Sequence, residues 1–596
     1  MQGTVWWVAE VGASVPAGRP VVVLESMKMQ HDVVADVDSV VMVVHANVGS
    51  TVPQGAVLAE VRPATAALST GSTDDLGHGS RPDLAEVDRR HAITGDSHRP
   101  DVVARRHESG RRTARENVAD LVDEGSFVEY GGLTIAAQRR RREIDDLIER
   151  TSADGLVGGL ASVNGSIFPE PASRVVVMSY DYAVLAGTQG QQNHRKKDRL
   201  FDVAERLHTP VILFAEGGGG RPGDTDGLGV SGLDCWAFHD FARLSGLVPL
   251  VGITGGFCFA GNAALLGCCD VVIAITGSNI GMGGPAMIEG GGLGSFRPTE
   301  IGPLEVQRAN GVVDIVAKDD ADAVRLARQY LGYFQGSLTN SGAPDQTRLR
   351  DIVPLNRVKA YDVRTVLDVL FDIDSVLELR RDFGLGMVTA LARIEGRPVG
   401  VIANNPMHLG GAIDSDASDK AARFMQLCDA FGLPLVTLVD TPGMMVGPDV
   451  EETALVRHCS RLFVTGVNID VPVVSVILRK SYGLGAQAMM AGSTKAPLAC
   501  VAWPTGELGG MGLEGAVRLG YRKELEAISD EHEREQLFEK LVSRLYESGK
   551  AVSVASHFEI DDAIDPVDTR KWINAVLASY QKPRNAGRRR PNIDTW

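Results

Sequence analysis

The sequence predicts an α/β protein in which two tandem domains of βαβ crossovers follow a small all-β barrel. Three observations carry this reading. Within residues 1–62, the run Val11 to Gly18 is echoed by Val48 to Gly55, so that Gly12, Val15 and Gly18 recur 37 residues later as Gly49, Val52 and Gly55. From about residue 170 onward a longer repeat runs at an offset near 224. Within each copy of it, short apolar runs are followed by glycine turns and helical stretches, the pattern of buried strands alternating with helices.

In the barrel, Val21-Val22-Val23-Leu24 reads as a buried strand and leads into Glu25-Ser26-Met27-Lys28-Met29. A lysine alone between two methionines suits neither a core nor an ordinary solvated turn. It fits an amine displayed on a hairpin tip, with Met27 and Met29 giving a modifying enzyme an apolar grip. The repeated glycines stand where the turns on either side need positive φ. Residues 63–95 follow as a linker, because the Pro63 to Ser80 stretch of Ala, Thr, Ser, Gly and Asp has little to bury. Fully extended, such a segment reaches roughly 70 Å. From about 85 to 150 the chain turns to charged helices, and Arg139-Arg140-Arg141-Arg142 reads either as a solvated helix face or as a contact for phosphates.

The long repeat sets the remaining boundaries, at 96–345 and 346–596. Val175 to Tyr180 aligns with Val399 to Asn404, Pro210 to Gly219 with Pro434 to Gly443, and Val248 to Val251 with Val471 to Val474. Glycine turns after strands put backbone N–H groups at helix starts, where they face anions. Gly217 to Gly220 is not a phosphate loop, since no Gly-Lys-Ser/Thr follows.

Composition narrows the partners. The 596 residues suggest on the order of four domains. A formal net charge of −16 argues against nucleic acid and against an anionic membrane surface. There is no apolar run of membrane-spanning length, and the chain opens directly on strand-like sequence without a signal peptide. Seven scattered cysteines without Cys-x-x-Cys predict a reducing cytoplasm, no disulfides and no metal site, with Cys268-Cys269 in the core.

Glu25-Ser26-Met27-Lys28-Met29 and the flanking half-repeats resemble biotinyl (biotin carboxyl carrier) domains, which implies covalent biotin on Lys28. Gln30 stands where that family has an acid, and Asp38-Ser39 replaces an Asp-Gly turn, where strain is expected. Thr113 to Glu116, Asp123 to Glu129, Gly256 to Asp270, Arg479 to Ala488, Ala502 to Glu507 and Met511 to Val517 resemble the carboxyltransferase β-subunits of biotin-dependent acyl-CoA carboxylases, a crotonase-like fold. The resemblance implies transfer of a carboxyl group from biotin to the α-carbon of an acyl-CoA. By it, 96–345 binds acyl-CoA and 346–596 binds carboxybiotin, Ala260 and Gly261 give amides to the CoA thioester, and Gly485 and Ala486 give amides to the biotin carbonyl. It also places Gly187 and Gly256 at the substrate, and it names CoA as the ligand whose phosphates the Arg139 to Arg142 run would meet if that run is not simply a solvated helix face. Relative to the propionyl-CoA type of that family, Leu484 reads as an extra residue between Gly483 and Gly485 that would displace the second hole, and the small Ala488 leaves room for an acyl group longer than acetyl.

The partners implied are a biotin carboxylase subunit or domain, since no ATP-binding module is present, a biotin protein ligase, and further copies of the chain in a hexamer. The chain would correspond to the last two modules of a longer carboxylase. The alternatives are a decarboxylase or transcarboxylase running the transfer in reverse, and a non-catalytic biotin carrier scaffold.

Overall fold

The computed structural model of the chain describes residues 2–65, 81–227, 233–339, 341–580 and 592–596. They form two compact units, Met1–Asp88 and Arg89–Trp596.

In the first unit, Gly3–Val8 lies between Pro20–Ser26 and Thr51–Val52, with Met29–Val34 outside Pro20–Ser26. Ser39–Val44 lies in the same way between Ser14–Val15 and Ala59–Pro63. The half-repeats thus form two matching sheets over a small core that includes Val5, Val21, Leu24 and Val41. Gly12, Gly18, Gly49 and Gly55 all adopt positive φ, as their spacing required. The strain expected at Asp38-Ser39 is not there. Neither residue has positive φ; Ser39 begins a strand opposite Val15, and the Asp38 carboxylate accepts the Ala17 N–H at 2.9 Å. Of the expected linker, residues 66–80 lie outside the described residues, and Pro82–Ile93 is a helix.

The second unit contains the long repeat as two sheets. The first runs Ile315–Ala317, Val271–Ile275, Leu250–Thr254, Val211–Phe214, Arg174–Tyr180, Leu156–Ser162, Val128–Glu129. The second runs Leu377–Leu379, Met387–Ile394, Arg397–Asn404, Leu435–Thr441, Val473–Tyr482, Ala499–Ala502, Asp562–Ala563, with Glu507–Gly509 beside the long strand Val473–Tyr482. Each copy opens with an antiparallel pair and continues through parallel crossovers. The correspondence reaches single residues. The bridges Gln189 to Gly220 and Ile413 to Met444 occupy equivalent places, and so do the tight turns Leu185–Gly187 and Leu409–Gly411 with their positive φ values.

A buried lysine marks the same point of each copy. Lys196 donates to the carbonyls of Gly131 and Leu156, and Lys420 to those of Phe383 and Met387. Leu156 and Met387 each begin the antiparallel strand of their copy. The two copies share one apolar core, in which Ile253, Ile273 and Tyr330 meet Met387, Leu427 and Leu435. A second core lies on the far side of each sheet.

Candidate active site

Lys28 sits on a two-residue hairpin turn. Ser26 pairs with Met29, leaving Met27 and Lys28 as the two central residues, with φ of 53° and 65°. Positive φ at both centres matches the twist of the flanking strands and normally selects Asn or Gly. Here a methionine and a lysine take the left-handed conformation, at a cost of roughly 1–2 kcal/mol each. Met27 is 97% exposed and Met29 64%, so the amine is displayed between two bare thioether side chains. The geometry fits a lysine whose amine is acylated by a carboxylic cofactor such as biotin.

In the first copy of the long repeat, the strand Phe257–Phe259 ends at Ala260 (φ 52°, ψ −121°), and the helix Gly261–Gly267 begins. The Ala260 N–H donates to Gly281 O at 3.0 Å, so Ala260 has no amide to offer a ligand, which corrects its expected role. The next amides, of Gly261 and Asn262, have no acceptor within the helix. A Cβ on Gly261 would stand 3.1–3.2 Å from the Gln189 side chain. Gly187 serves a close backbone approach, since a Cβ there would stand 2.4 Å from Glu216 O, and its own N–H is taken by Val184 O at 3.1 Å. Gly256 makes room for the Glu216 carboxylate, 2.3 Å from where a Cβ would lie. Arg106 holds that carboxylate with two bonds of 2.8 and 3.1 Å.

In the second copy, the strand Val473–Tyr482 runs into the helix Gly483–Met489. Cys258 bridges to Gly217, and Ser481 pairs with Thr441 at the equivalent place. Two residues further on, Ala260 and Gly483 both have positive φ, 52° and 56°. Between the copies, therefore, Leu484 is not an insertion. It stands where Gly261 stands, and Gly485 where Asn262 stands, so the candidate amides move from Gly485 and Ala486 to Leu484 and Gly485. Gly485 is small because a Cβ would lie 2.6–2.7 Å from the Gly443 backbone, not because a ligand needs the space. Ala486 lines a cavity of about 740 Å³ together with Leu484, Gln487, Met490 and Leu513. Ala488 does not line it; the residue is fully buried in the shared core, so its size carries no information about an acyl chain.

Charged residues to which the sequence reading gave no role hold these turns. Glu216 and Asp440 occupy equivalent positions, each paired with an arginine. The buried Asp440 accepts from Arg479 Nε and Nη2, both at 3.1 Å, and burial pushes its carboxyl up. Arg479 also lies 5.0 Å from the Tyr361 ring centroid and donates to Lys359 O at 2.8 Å. Lys480 donates to Gly410 O at 2.9 Å, and Arg357 pairs with Glu507 at 2.5 Å. The signal was present in the repeat, which aligns the two acids. Arg139 and Arg142 are paired with Asp226 and Asp146, which leaves Arg140 and Arg141 without a carboxylate among the described residues.

A lysine-tipped barrel and a doubled crotonase-like body with a strand-turn-helix in each copy define the class of a carrier joined to an acyl-transfer core. The carboxyl transferase domain family matches residues 105–593, and the biotin-requiring enzyme family matches residues 1–61. The chain is 33% identical over 494 residues to the methylmalonyl-CoA carboxyltransferase 12S subunit of Propionibacterium freudenreichii subsp. shermanii, covering 81% of this chain and 91% of that one. Among solved structures, a single-chain, multi-domain long-chain acyl-CoA carboxylase superposes with a TM-score of 0.80 at 56% identity, over 96% of this chain. This chain spans 55% of its length. Transcarboxylase 12S, solved as a hexamer with methylmalonyl-CoA and methylmalonic acid bound, gives a TM-score of 0.74 at 30% identity, over 86% of this chain and 99% of that one. The chain belongs to the carboxyl transferase family and carries its own biotinyl domain. No helix among the described residues is long and apolar enough to cross a membrane.

Proposed function

We propose that this chain carries biotin on Lys28 and transfers a carboxyl group to the α-carbon of an acyl-CoA with a long acyl chain. The observation that carries the reading is the repeated strand, positive-φ residue and helix start, at Phe257–Gly261 and again at Tyr482–Leu484, on the same chain as the exposed Lys28. Biotin, attached at Lys28, supplies the carboxyl group in a transferable form. In the first copy, residues 96–345, the amides of Gly261 and Asn262 hold the thioester oxygen as it gains charge while the α-proton leaves. In the second copy, residues 346–596, the amides of Leu484 and Gly485 hold the urea oxygen of the cofactor. Loss of one such donor typically costs about 2.7–4 kcal/mol of barrier. The 56% identity with a long-chain acyl-CoA carboxylase supports the chain length. The likeness to a hexameric transcarboxylase supports assembly of the chain into a hexamer. A biotin carboxylase and a biotin protein ligase complete the cycle, and seven free thiols suit the cytoplasm.

The test uses the full, biotin-loaded chain with a biotin carboxylase, ATP and labelled bicarbonate, across acyl-CoAs from acetyl to palmitoyl. Incorporation that rises with chain length and vanishes in Lys28→Ala supports the proposal. No incorporation from bicarbonate, together with transfer of label to biotin when a carboxyacyl-CoA labelled in its carboxyl group is supplied instead, would favour the second reading, a transcarboxylase, to which the 33% identity with the 12S subunit lends weight.

A further inference from the structure

We propose that Lys197, Gln189 and Asn262 form a positioning relay that sets the first pair of oxyanion donors, an inference that rests on the carboxyltransferase reading. All three side chains are buried. Lys197, on the helix Gln191–Leu207, donates to Tyr180 Oη and to Gln189 Oε1, each at 2.9 Å. Gln189 Nε2 donates to Asn262 Oδ1 at 3.2 Å, and the same oxygen accepts the Gly219 N–H at 3.2 Å. Asn262 Nδ2 donates to Gly187 O at 3.3 Å and reaches Glu216 O at 3.5 Å.

Every amide orientation in this chain is forced. The Gly219 N–H is only a donor, so Asn262 must present its oxygen there and its NH2 to the two carbonyls. Asn262 Oδ1 is only an acceptor, so Gln189 must turn its NH2 to Asn262 and its oxygen to the Lys197 amine. One residue thereby ties the Gly187 turn and the Gly217 to Gly219 loop to the helix start that offers the Gly261 and Asn262 amides. The Gln189 side chain also packs 3.1–3.2 Å from where a Gly261 Cβ would be.

The duplicated architecture separates this relay from scaffolding. Lys196 has a counterpart in Lys420, with matching partners, and belongs to the shared fold. In the second copy the position of Lys197 is taken by Ala421, that of Gln189 by Ile413, that of Tyr180 by Asn404, and that of Asn262 by Gly485. There the equivalent loop amide, of Gly443, is held by Thr441 Oγ1 at 3.1 Å. The relay belongs to the acyl-CoA half alone.

The charged and titratable groups around Lys197 are Asp198 and His194 on its own helix, and Asp154, Arg221, Cys235 and Tyr180 from the elements packed against it. Burial brings Lys197 down to about 7, so its charge titrates in the working range.

The experiment compares wild type, Lys197→Met and Gln189→Met as full, biotin-loaded chains. The second variant cuts the relay while leaving Lys197 its bond to Tyr180. Both are expected to lose roughly tenfold to a hundredfold in kcat, with the acyl-CoA KM moved by less than about twofold. In wild type, kcat falls as pH rises through neutral, and Lys197→Met lacks that limb. Amide hydrogen exchange at Gly219 is expected to speed up in Gln189→Met. Unchanged kcat and pH profile in both variants of an active enzyme overturn the relay. If wild type transfers no carboxyl group, the functional reading falls, and exchange at Gly219 alone decides whether the relay positions this loop.

Discussion

At Lys28 the backbone conformation and the chemistry conflict, since the two central positions of this hairpin turn favour Asn and Gly while the chain places Met27 and Lys28 there. Met27→Gly removes one left-handed side-chain residue and should stabilise the barrel by about 1 kcal/mol. It also removes an apolar contact for the ligase, so biotin incorporation, followed by streptavidin shift, should slow while the melting temperature of the first unit rises. Incorporation at the wild-type rate would show that Met27 provides no grip. At the second hole the test is a contrast between neighbours. Gly485→Ala forces a Cβ to 2.6–2.7 Å from the Gly443 backbone, and fixed backbone on both sides should cost roughly 1–3 kcal/mol of stability, together with most of the activity. Leu484→Ala keeps the backbone N–H and trims an exposed side chain, so both properties should stay close to wild type. The hairpin tip that displays Lys28 was legible in the sequence because its signal is local, a lysine between methionines after a strand. Gln189, Lys197 and Asn262 were not, because their partners come from segments scattered between Tyr180 and Asn262, and nothing in linear order brings them together.

At the scale of elements, duplication was the most readable feature. Repeated strands and glycine turns located both helix starts, while the amides expected there came from the family resemblance, and the pairing within this chain shifts the candidates by one residue in each copy. Register in a parallel sheet is fixed by backbone pairing, and the bridges Gly217 to Cys258 and Thr441 to Ser481 supply what the motif could not. The same comparison exposes the paired lysines, whose burial depresses Lys196 to about 8 and Lys420 to about 7. The sign follows from proton counting. Below pH 7 Lys420 is charged in both folded and unfolded chains, and the full burial cost is present. As pH rises from about 7 toward the unfolded value of 10.5, the folded state has lost a proton that the unfolded state keeps, so stability rises. Between pH 7 and 9 this one group contributes on the order of 2 kcal/mol. Urea midpoints of wild type should therefore increase over that window, and those of Lys420→Met should increase less. Equal slopes in the two proteins would show that Lys420 stays charged in the folded state. The window ends at pH 9 because buried thiols such as Cys500, raised to about 12, begin to act in the opposite direction above it.

For the molecule as a whole, apolar periodicity says which residues are buried but not what buries them. The alternating strand and helix pattern revealed two α/β copies. It did not reveal that they share a core, with Ile253 and Tyr330 of the first copy packed in one cluster with Met387 and Leu435 of the second. Polar ties cross the same boundary. Arg423 donates to the carbonyls of Cys269 and Asp270 at 3.3 and 2.8 Å, and the buried Arg380 pairs with Asp314 at 3.0 Å. The last residues add a clip. Ile593 exchanges hydrogen bonds with Ser245 Oγ in the first copy, while Asp594 meets Gln426 and Arg461 in the second. A cut between 345 and 346 would expose the shared core on both pieces and leave buried ions without partners, a loss that neither piece can offset alone. The barrel differs, since its nine-residue core is complete within the first unit. Expressed separately, residues 1–65 should fold and accept biotin from a ligase, and residues 81–596 should melt in a single cooperative transition. Residues 89–345 and 346–596, expressed apart, should aggregate and regain solubility only when produced together. Two resolved transitions in 81–596, or a soluble and cooperatively folded 89–345, would show that the copies are independent domains and that the shared cluster contributes little to their stability.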